Sequence, residues 1–108
     1  MPVYNKLVRN NILEIIEAEG LSYNARTLEN EEFLSEIKKK LYEEVKEFDG
    51  TTNEQDAVEE LADVLELIHA ALKVYNKSFE ELESVRVNKK AKRGGFDKGL
   101  YLIDVEDK

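Results

Sequence analysis

Two short acidic motifs are the part of this sequence best suited to chemistry. The first is EVKE at residues 44–47 and the second is ELAD at residues 60–63, with twelve residues between them. Their acids are Glu44, Glu47, Glu60 and Asp63. Acids three residues apart share one side of a helix, so each motif offers a pair of carboxylates. Gathered carboxylates bind hard divalent cations, and a ligand set made only of oxygens favours Mg²⁺, with Mn²⁺ as a substitute, over zinc.

The surroundings of Glu44 set it apart from an ordinary surface acid. At about 100° per residue, Ile37 and Phe48 belong to an apolar stripe of one helix, and Glu44 falls inside that stripe. Glu47 lies on the edge of the stripe, whereas Glu43 is expected to point away. A glutamate on an apolar face is costly unless a partner or a proton compensates its charge. Glu44 is therefore expected to have a partner.

The helix that carries the second motif has two apolar sectors. The main sector comprises Ala57, Val58, Leu61, Val64, Leu65, Ile68, Leu72 and Tyr75, and the second comprises Leu67, Ala70, Ala71 and Val74. Glu60 and Asp63 continue the second sector toward the start of the helix, so we expect them to be partly buried. A chain of this size cannot cover both sectors alone. This pattern predicts a homo-oligomer, most simply a homodimer.

Most of the chain reads as helix, since it has one proline and five glycines. Helices are predicted over residues 11–19, 31–48, 54–75 and 79–93, with Asn11, Asn53 and Ser78 as capping residues. An extended connection is expected at 21–28, and a short extended arm packing on the helices at 96–105. The fold class is all-α, a bundle of about four helices in a single domain spanning 1–108. The short turn at 48–53 makes the two long helices antiparallel neighbours, which brings both acidic motifs to one end.

Composition also restricts the partners and the cellular location that we expect. The chain has 108 residues, 37% of them charged, a formal charge of −8 and no cysteine. The net negative charge argues against nucleic-acid and anionic-membrane partners. Disulfides are excluded, and we see neither an apolar run of about 18 residues nor a secretion signal. We therefore expect a cytoplasmic protein with no membrane partner.

The charges are unevenly distributed along the sequence. Residues 29–66 hold 14 acidic and 4 basic residues, whereas residues 84–98 hold 6 basic residues and 1 acidic residue. The candidate phosphate-binding residues are Arg86, Lys89 and Arg93 on the last helix, and Lys6 and Arg9 before the first. An alternative is that the cations of the last helix only complement its C-terminal dipole, and that Lys6 and Arg9 are ordinary exposed charges. A small polyphosphate bridged by metal fits this charge pattern.

With these residues assembled, the chain resembles the all-α NTP pyrophosphatase superfamily, which includes the MazG-like and phosphoribosyl-ATP pyrophosphohydrolase-like proteins. The similarity lies in the paired acidic motifs, their contexts LYEEVKEF and EELADVLELI, and the flanking segments YNKLVRNNI and RVNKKAKRGGF. It covers most of the chain. Relatives commonly read VRDKIPEI where this chain has VRNNILEI at 8–15. The spacer is at the short end for the family, which implies a tight hairpin.

The resemblance implies Mg²⁺-dependent hydrolysis of a nucleoside triphosphate, or a related nucleotide, to the monophosphate and pyrophosphate, a nucleotide-pool-cleaning activity. In that scheme all four acids hold metal, and Glu44 and Glu47 are also catalytic, although the identity of the general base is left open. The cations would stabilise the departing pyrophosphate. Two alternatives stay open: a biosynthetic phosphoribosyl-ATP-type pyrophosphohydrolase, and a non-catalytic helical interaction module.

Overall fold

Helices account for the regular structure of residues 2–107, the part of the chain that the computed structural model describes. They are α1 (Ile12–Ala18), α2 (Asn30–Asp49), α3 (Glu54–Val74) and α4 (Phe79–Arg93), and this part of the chain contains no strand. The predicted all-α class with four helices is therefore confirmed. Within residues 2–107, no helix is both long enough and apolar enough to cross a membrane.

The chain divides into two compact units, residues 1–76 and residues 77–108. The first unit contains α1, α2 and α3, and the second contains α4 and the segment that follows it. That both belong to one domain stays a prediction.

In the first unit, α2 and α3 pack against each other through a tight connection. The Thr51 hydroxyl donates to the Phe48 carbonyl oxygen at 2.7 Å, and the Thr51 backbone N–H donates to the same oxygen at 3.2 Å. The Asn53 side chain then accepts from the Asp56 backbone N–H at 2.9 Å and caps α3, as predicted. Because the connection is short, the helices run antiparallel, and the end of α2 lies beside the start of α3.

Two further helix starts show how far local sequence decides a cap. Ser78 and Glu81 form the predicted capping box of α4, with Ser78 Oγ accepting from the Glu81 N–H at 3.1 Å and Glu81 accepting from the Ser78 N–H at 2.9 Å. The predicted Asn11 cap of α1 is wrong, since the Asn11 side chain makes no capping bond. Asn11 is already in a helical conformation, with φ −83° and ψ −3°. The chain instead enters α1 through a turn in which the Ile12 N–H donates to the Arg9 carbonyl at 3.1 Å.

Burial in the first unit divides the main apolar sector of α3, in which Ala57, Val64, Ile68 and Leu72 are partly shielded. The second sector, together with Glu60 and Asp63, is partly shielded. On the main sector, Val58, Leu61 and Leu65 are 57%, 49% and 44% exposed. Among residues 2–107, Ile37 on α2 is the one buried apolar residue. We call Val58, Leu61 and Leu65 the exposed strip of α3.

In the second unit, Gly94 ends α4 with φ +83°, a conformation that L side chains rarely adopt. The segment 99–107 has neither helix nor strand, and that it forms an extended arm stays a prediction. That this segment packs on the helices stays a prediction; its apolar side chains are mostly exposed, with Leu100 at 86% and Tyr101 at 90%. Apolar residues occur consecutively at 100–103, so no single face of an extended chain could bury them all.

The burial of Ile37 yields a stability prediction. We expect Ile37→Ala to lower the free energy of unfolding by about 2–5 kcal/mol, because it opens a cavity in the α2–α3 contact. Urea unfolding followed by circular dichroism measures this. The matched control is Ile103→Ala, which removes the same atoms from a residue that is 86% exposed and should change stability by less than about 0.5 kcal/mol. Equal losses in the two variants would contradict the assigned core.

Candidate metal site

The hairpin of α2 and α3 brings all four predicted acids together. Carboxylate oxygens of Glu44, Glu60 and Asp63 lie within 4.8 Å of one another, and the same is true of Glu43, Glu44 and Glu47. Oxygens bound to one Mg²⁺ or Ca²⁺ at about 2.1–2.4 Å are up to about 4–5 Å apart, so each group has the span of a cation site. Glu44 belongs to both groups and lies at the centre. We call these five residues the acidic cluster.

Glu43 is the member that sequence patterning missed. The expectation that it points away is wrong, since its side chain is only 37% exposed and its carboxylate joins those of Glu44 and Glu47. Its Oε1 lies 3.7 Å from Lys6 Nζ and 3.6 Å from Lys40 Nζ. Two lysines therefore hold the long side chain of Glu43 on the side of the cluster, although its backbone position lies off the apolar stripe. Lys40, three residues earlier, was the available signal.

Glu44 is buried with only part of its charge compensated. The residue is 6% exposed, and its Oε1 lies 3.8 Å from Lys40 Nζ. Glu44 Oε2 and Glu60 Oε2 are both shielded from solvent and have no hydrogen-bond partner. Two carboxylates are both acceptors, so they cannot satisfy each other without a shared proton. A buried acceptor without a donor is destabilising, so these two oxygens need a proton or a cation to satisfy them.

The pKa values of the cluster follow from this burial. Burial raises the pKa of Glu44 to about 7, and the neighbouring carboxylates of Glu60, Glu47 and Asp63 add to the rise. For Glu60, a proton shared with Glu44 would lower the pKa, but desolvation and the neighbouring carboxylates of Glu47 and Asp63 outweigh it, so its pKa is also raised. Near neutral pH the cluster accordingly binds protons readily when no cation is present.

Two of the predicted phosphate-binding residues lie at this cluster, but they contact its carboxylates. Arg9 Nη2 donates to Asp63 Oδ1 at 2.5 Å, and Lys6 Nζ is 3.7 Å from Glu43 Oε1. Both pairs are largely exposed, with Arg9 at 60% and Lys6 at 45%. These cations offset part of the negative charge of the cluster without reaching the buried oxygens of Glu44 and Glu60.

The basic residues of α4 belong to the second unit. Arg86 Nε donates to Glu83 Oε2 at 3.0 Å within that helix, an ion pair that raises the pKa of Arg86 and lowers that of Glu83. Arg93 lies in the last turn of α4, where a cation complements the helix dipole. That Arg86, Lys89 and Arg93 reach the phosphates of a ligand at the acidic cluster stays a prediction.

Comparison with known proteins finds no matching family model, no similar curated protein and no similar solved structure. The resemblance to the all-α NTP pyrophosphatases therefore rests on the residues quoted above. The geometry of the acidic cluster is an independent observation about the same residues.

The raised pKa of Glu44 predicts an unusual pH dependence of stability. The folded, metal-free protein holds a proton on Glu44 up to about pH 7, whereas the unfolded chain releases it near 4.5. This contribution is fully present below pH 4.5 and is lost as the pH rises toward 7, with a total effect of about 3 kcal/mol. Urea unfolding between pH 4.5 and 8 in the presence of EDTA measures this slope.

The variant Glu44→Gln separates this contribution from those of the other acids. An amide does not titrate, so the slope due to Glu44 should disappear. Glu66→Gln, which changes an exposed acid of the same hairpin, is the matched control and should keep it. Identical pH profiles for wild type and Glu44→Gln would contradict the assignment.

Proposed function

We propose that this protein is a Mg²⁺-dependent nucleotide pyrophosphohydrolase. It cleaves a nucleoside triphosphate, or a related nucleotide, to the monophosphate and pyrophosphate. The observation that carries the proposal is the pair of buried, unpartnered oxygens of Glu44 and Glu60 at the centre of a cluster of five carboxylates. The ion pair with Lys40 reaches only Oε1 of Glu44, so it does not satisfy these oxygens. The sequence context of the two acidic motifs supports the reaction class.

The donor set fits a hard divalent cation. Glu44, Glu47, Glu60 and Asp63 supply only carboxylate oxygens, which suit Mg²⁺ and, as a substitute, Mn²⁺. The buried oxygens of Glu44 and Glu60 are the ones that most need a positive partner. When bound, such a cation supplies a Lewis acid that polarises phosphoryl oxygens and makes water a better nucleophile.

The side chains of the cluster also suit proton transfer. We propose that Glu44 or Glu47 accepts a proton from the water that attacks the α-phosphorus. A new P–O bond then forms, the bond to the α,β-bridging oxygen breaks, and pyrophosphate leaves with the electron pair. Cationic side chains stabilise the charge on the leaving group, for which we propose Arg86, Lys89, Arg93, Lys6 and Arg9.

Self-association is part of the proposal. A chain with Ile37 as the one buried apolar residue among residues 2–107 has a small core of its own. The exposed strip of α3 presents apolar side chains at Val58, Leu61 and Leu65, which recur at the three- and four-residue spacing of a helix–helix seam. We propose a homodimer in which this strip is covered by its counterpart. The sector that contains Leu67 is already shielded within the chain.

The exposed strip also favours a second candidate function, a non-catalytic helical module that binds another protein through Leu61 and Leu65. We prefer the enzyme, because a binding module has no use for unpartnered buried carboxylates. A cytoplasmic location fits the proposed enzyme, since the chain lacks cysteine and nucleoside triphosphates are intracellular substrates. The net charge of −8 still argues against nucleic acid as a partner.

The reaction is tested by pyrophosphate release from a panel of canonical, modified and phosphoribosyl nucleotides, with Mg²⁺ or with EDTA. We expect release only with Mg²⁺, and a fall in kcat/KM of about 100-fold or more for Glu44→Gln and Asp63→Asn, since each removes a charged ligand of the site. Glu66→Gln, an exposed acid on α3, should stay within about two-fold of wild type. The substrate preferred in this panel separates pool cleaning from a biosynthetic phosphoribosyl-nucleotide reaction. Absence of release across the panel would refute the enzyme.

The homodimer is tested by light scattering at micromolar concentration. We expect a mass twice that of the 12.5 kDa chain. Leu61→Glu should reduce it to one chain, because the charge would be buried without a partner at the seam. Leu102→Glu places the same change on a residue that is 76% exposed in the second unit and should leave the mass unchanged. A wild-type mass of one chain would contradict the proposed dimer.

A further inference from the structure

Arg9 pairs with a carboxylate of the acidic cluster that a bound cation would also need. We propose that Arg9 is a resident counter-ion of the cluster, which leaves Asp63 when a divalent cation binds and then pairs with the phosphates of the nucleotide. This inference rests on the proposed function and assigns Arg9 two successive partners.

The N-terminal segment brings its two cations to two different helices. Arg9 Nη2 lies 2.5 Å from Asp63 Oδ1 on α3, and Lys6 Nζ lies 3.7 Å from Glu43 Oε1 on α2. The segment at 2–10 has neither helix nor strand, and these two ion pairs join its side chains to the cluster. The segment thus contacts both helices of the hairpin through its cations, which do not bond to the buried oxygens.

Arg9 and a divalent cation would compete for the same carboxylate. The guanidinium of Arg9 uses Oδ1 of Asp63, one of the carboxylates that complete the group around Glu44. A divalent cation beside the guanidinium would also repel it. The side chains of this ion pair are 60% and 37% exposed, and exposed pairs are weak, so the carboxylate gives up Arg9 readily.

The released guanidinium would stay near the site. Its backbone is tethered three residues after Lys6, whose contact with Glu43 does not involve the buried oxygens. The planar fork of an arginine pairs with phosphate oxygens in two parallel hydrogen bonds, which a lysine cannot do. Arg9 should therefore oppose the binding of metal alone and favour the binding of the metal-loaded protein to a nucleotide. These two effects have opposite signs.

The experiment uses the full chain and two probes. Calorimetry with Mn²⁺ alone measures how Arg9 affects metal binding. Its effect on nucleotide binding is measured as the affinity of the Mn²⁺-saturated protein for a triphosphate whose α,β-bridging oxygen is replaced by methylene. For Arg9→Gln we expect Mn²⁺ to bind about two- to five-fold tighter, since an exposed ion pair no longer competes. We expect the analogue to bind about ten-fold weaker, since a charged phosphate contact is lost.

Arg26→Gln is the matched control. Arg26 forms an exposed ion pair with Glu32 of α2 at 2.5 Å, and Glu32 is not a member of the acidic cluster. This variant should change neither affinity. Arg9→Lys should keep the competition with Mn²⁺ but bind the analogue more weakly than wild type, because it lacks the fork. Circular dichroism verifies that each variant is folded.

Different failures have different meanings. Equal or weaker Mn²⁺ binding by folded Arg9→Gln, with wild type binding Mn²⁺ normally, would overturn the counter-ion role and leave the metal site intact. Tighter Mn²⁺ binding with an unchanged affinity for the analogue would overturn the proposed pairing of Arg9 with the nucleotide phosphates. Failure of the wild type to bind Mn²⁺ at all would refute the proposed function itself, and this inference with it.

Discussion

Burial of the Glu44 carboxylate in the contact between α2 and α3 is the constraint on which the site depends. A carboxylate at this depth is stable only with a proton or with positive charge close by. Lys40 contacts one oxygen of this carboxylate and leaves the other without a donor. Glu60 has the same deficiency on the facing helix. The hairpin is therefore built around a charge that it does not itself neutralise.

Burial of Glu44 lowers the stability of the hairpin but prepares a carboxylate that can bind a cation. Ile37 lies two helical turns before Glu44, and it is the buried apolar residue that anchors the same helix. The apolar anchor and the acid thus share one side of α2, so packing at Ile37 holds Glu44 against α3 although its charge opposes burial. Turning Glu44 outward would relieve the charge but would also rotate Ile37 away from α3. The favourable packing of Ile37 therefore keeps the Glu44 carboxylate buried, although burying its charge is unfavourable.

Much of this arrangement could be predicted from the sequence. Apolar spacing and the caps at Asn53 and Ser78 located the helices, and the short turn placed both acidic motifs at one end. Periodicity could not decide which residues of the main apolar sector of α3 are left exposed, because that depends on where the partner helix lies. Nor could apolar periodicity place Glu43, whose carboxylate contacts Lys6, a residue distant in sequence, as well as Lys40 one turn before it. Side chains that reach across elements are invisible to spacing rules.

The exposed segment after α4 has a consequence for handling the protein. Apolar residues at 100–103 lie in a segment without helix or strand, where backbone N–H and C=O groups can pair with another chain, which is the pattern of an aggregation-prone segment. The acids that follow at 104, 106 and 107 act as gatekeepers, since like charges repel when identical segments stack. Their protection is electrostatic and weakens with salt and with acid. Dilute salt and neutral pH are thus the conditions in which this segment is best kept from β-pairing between chains.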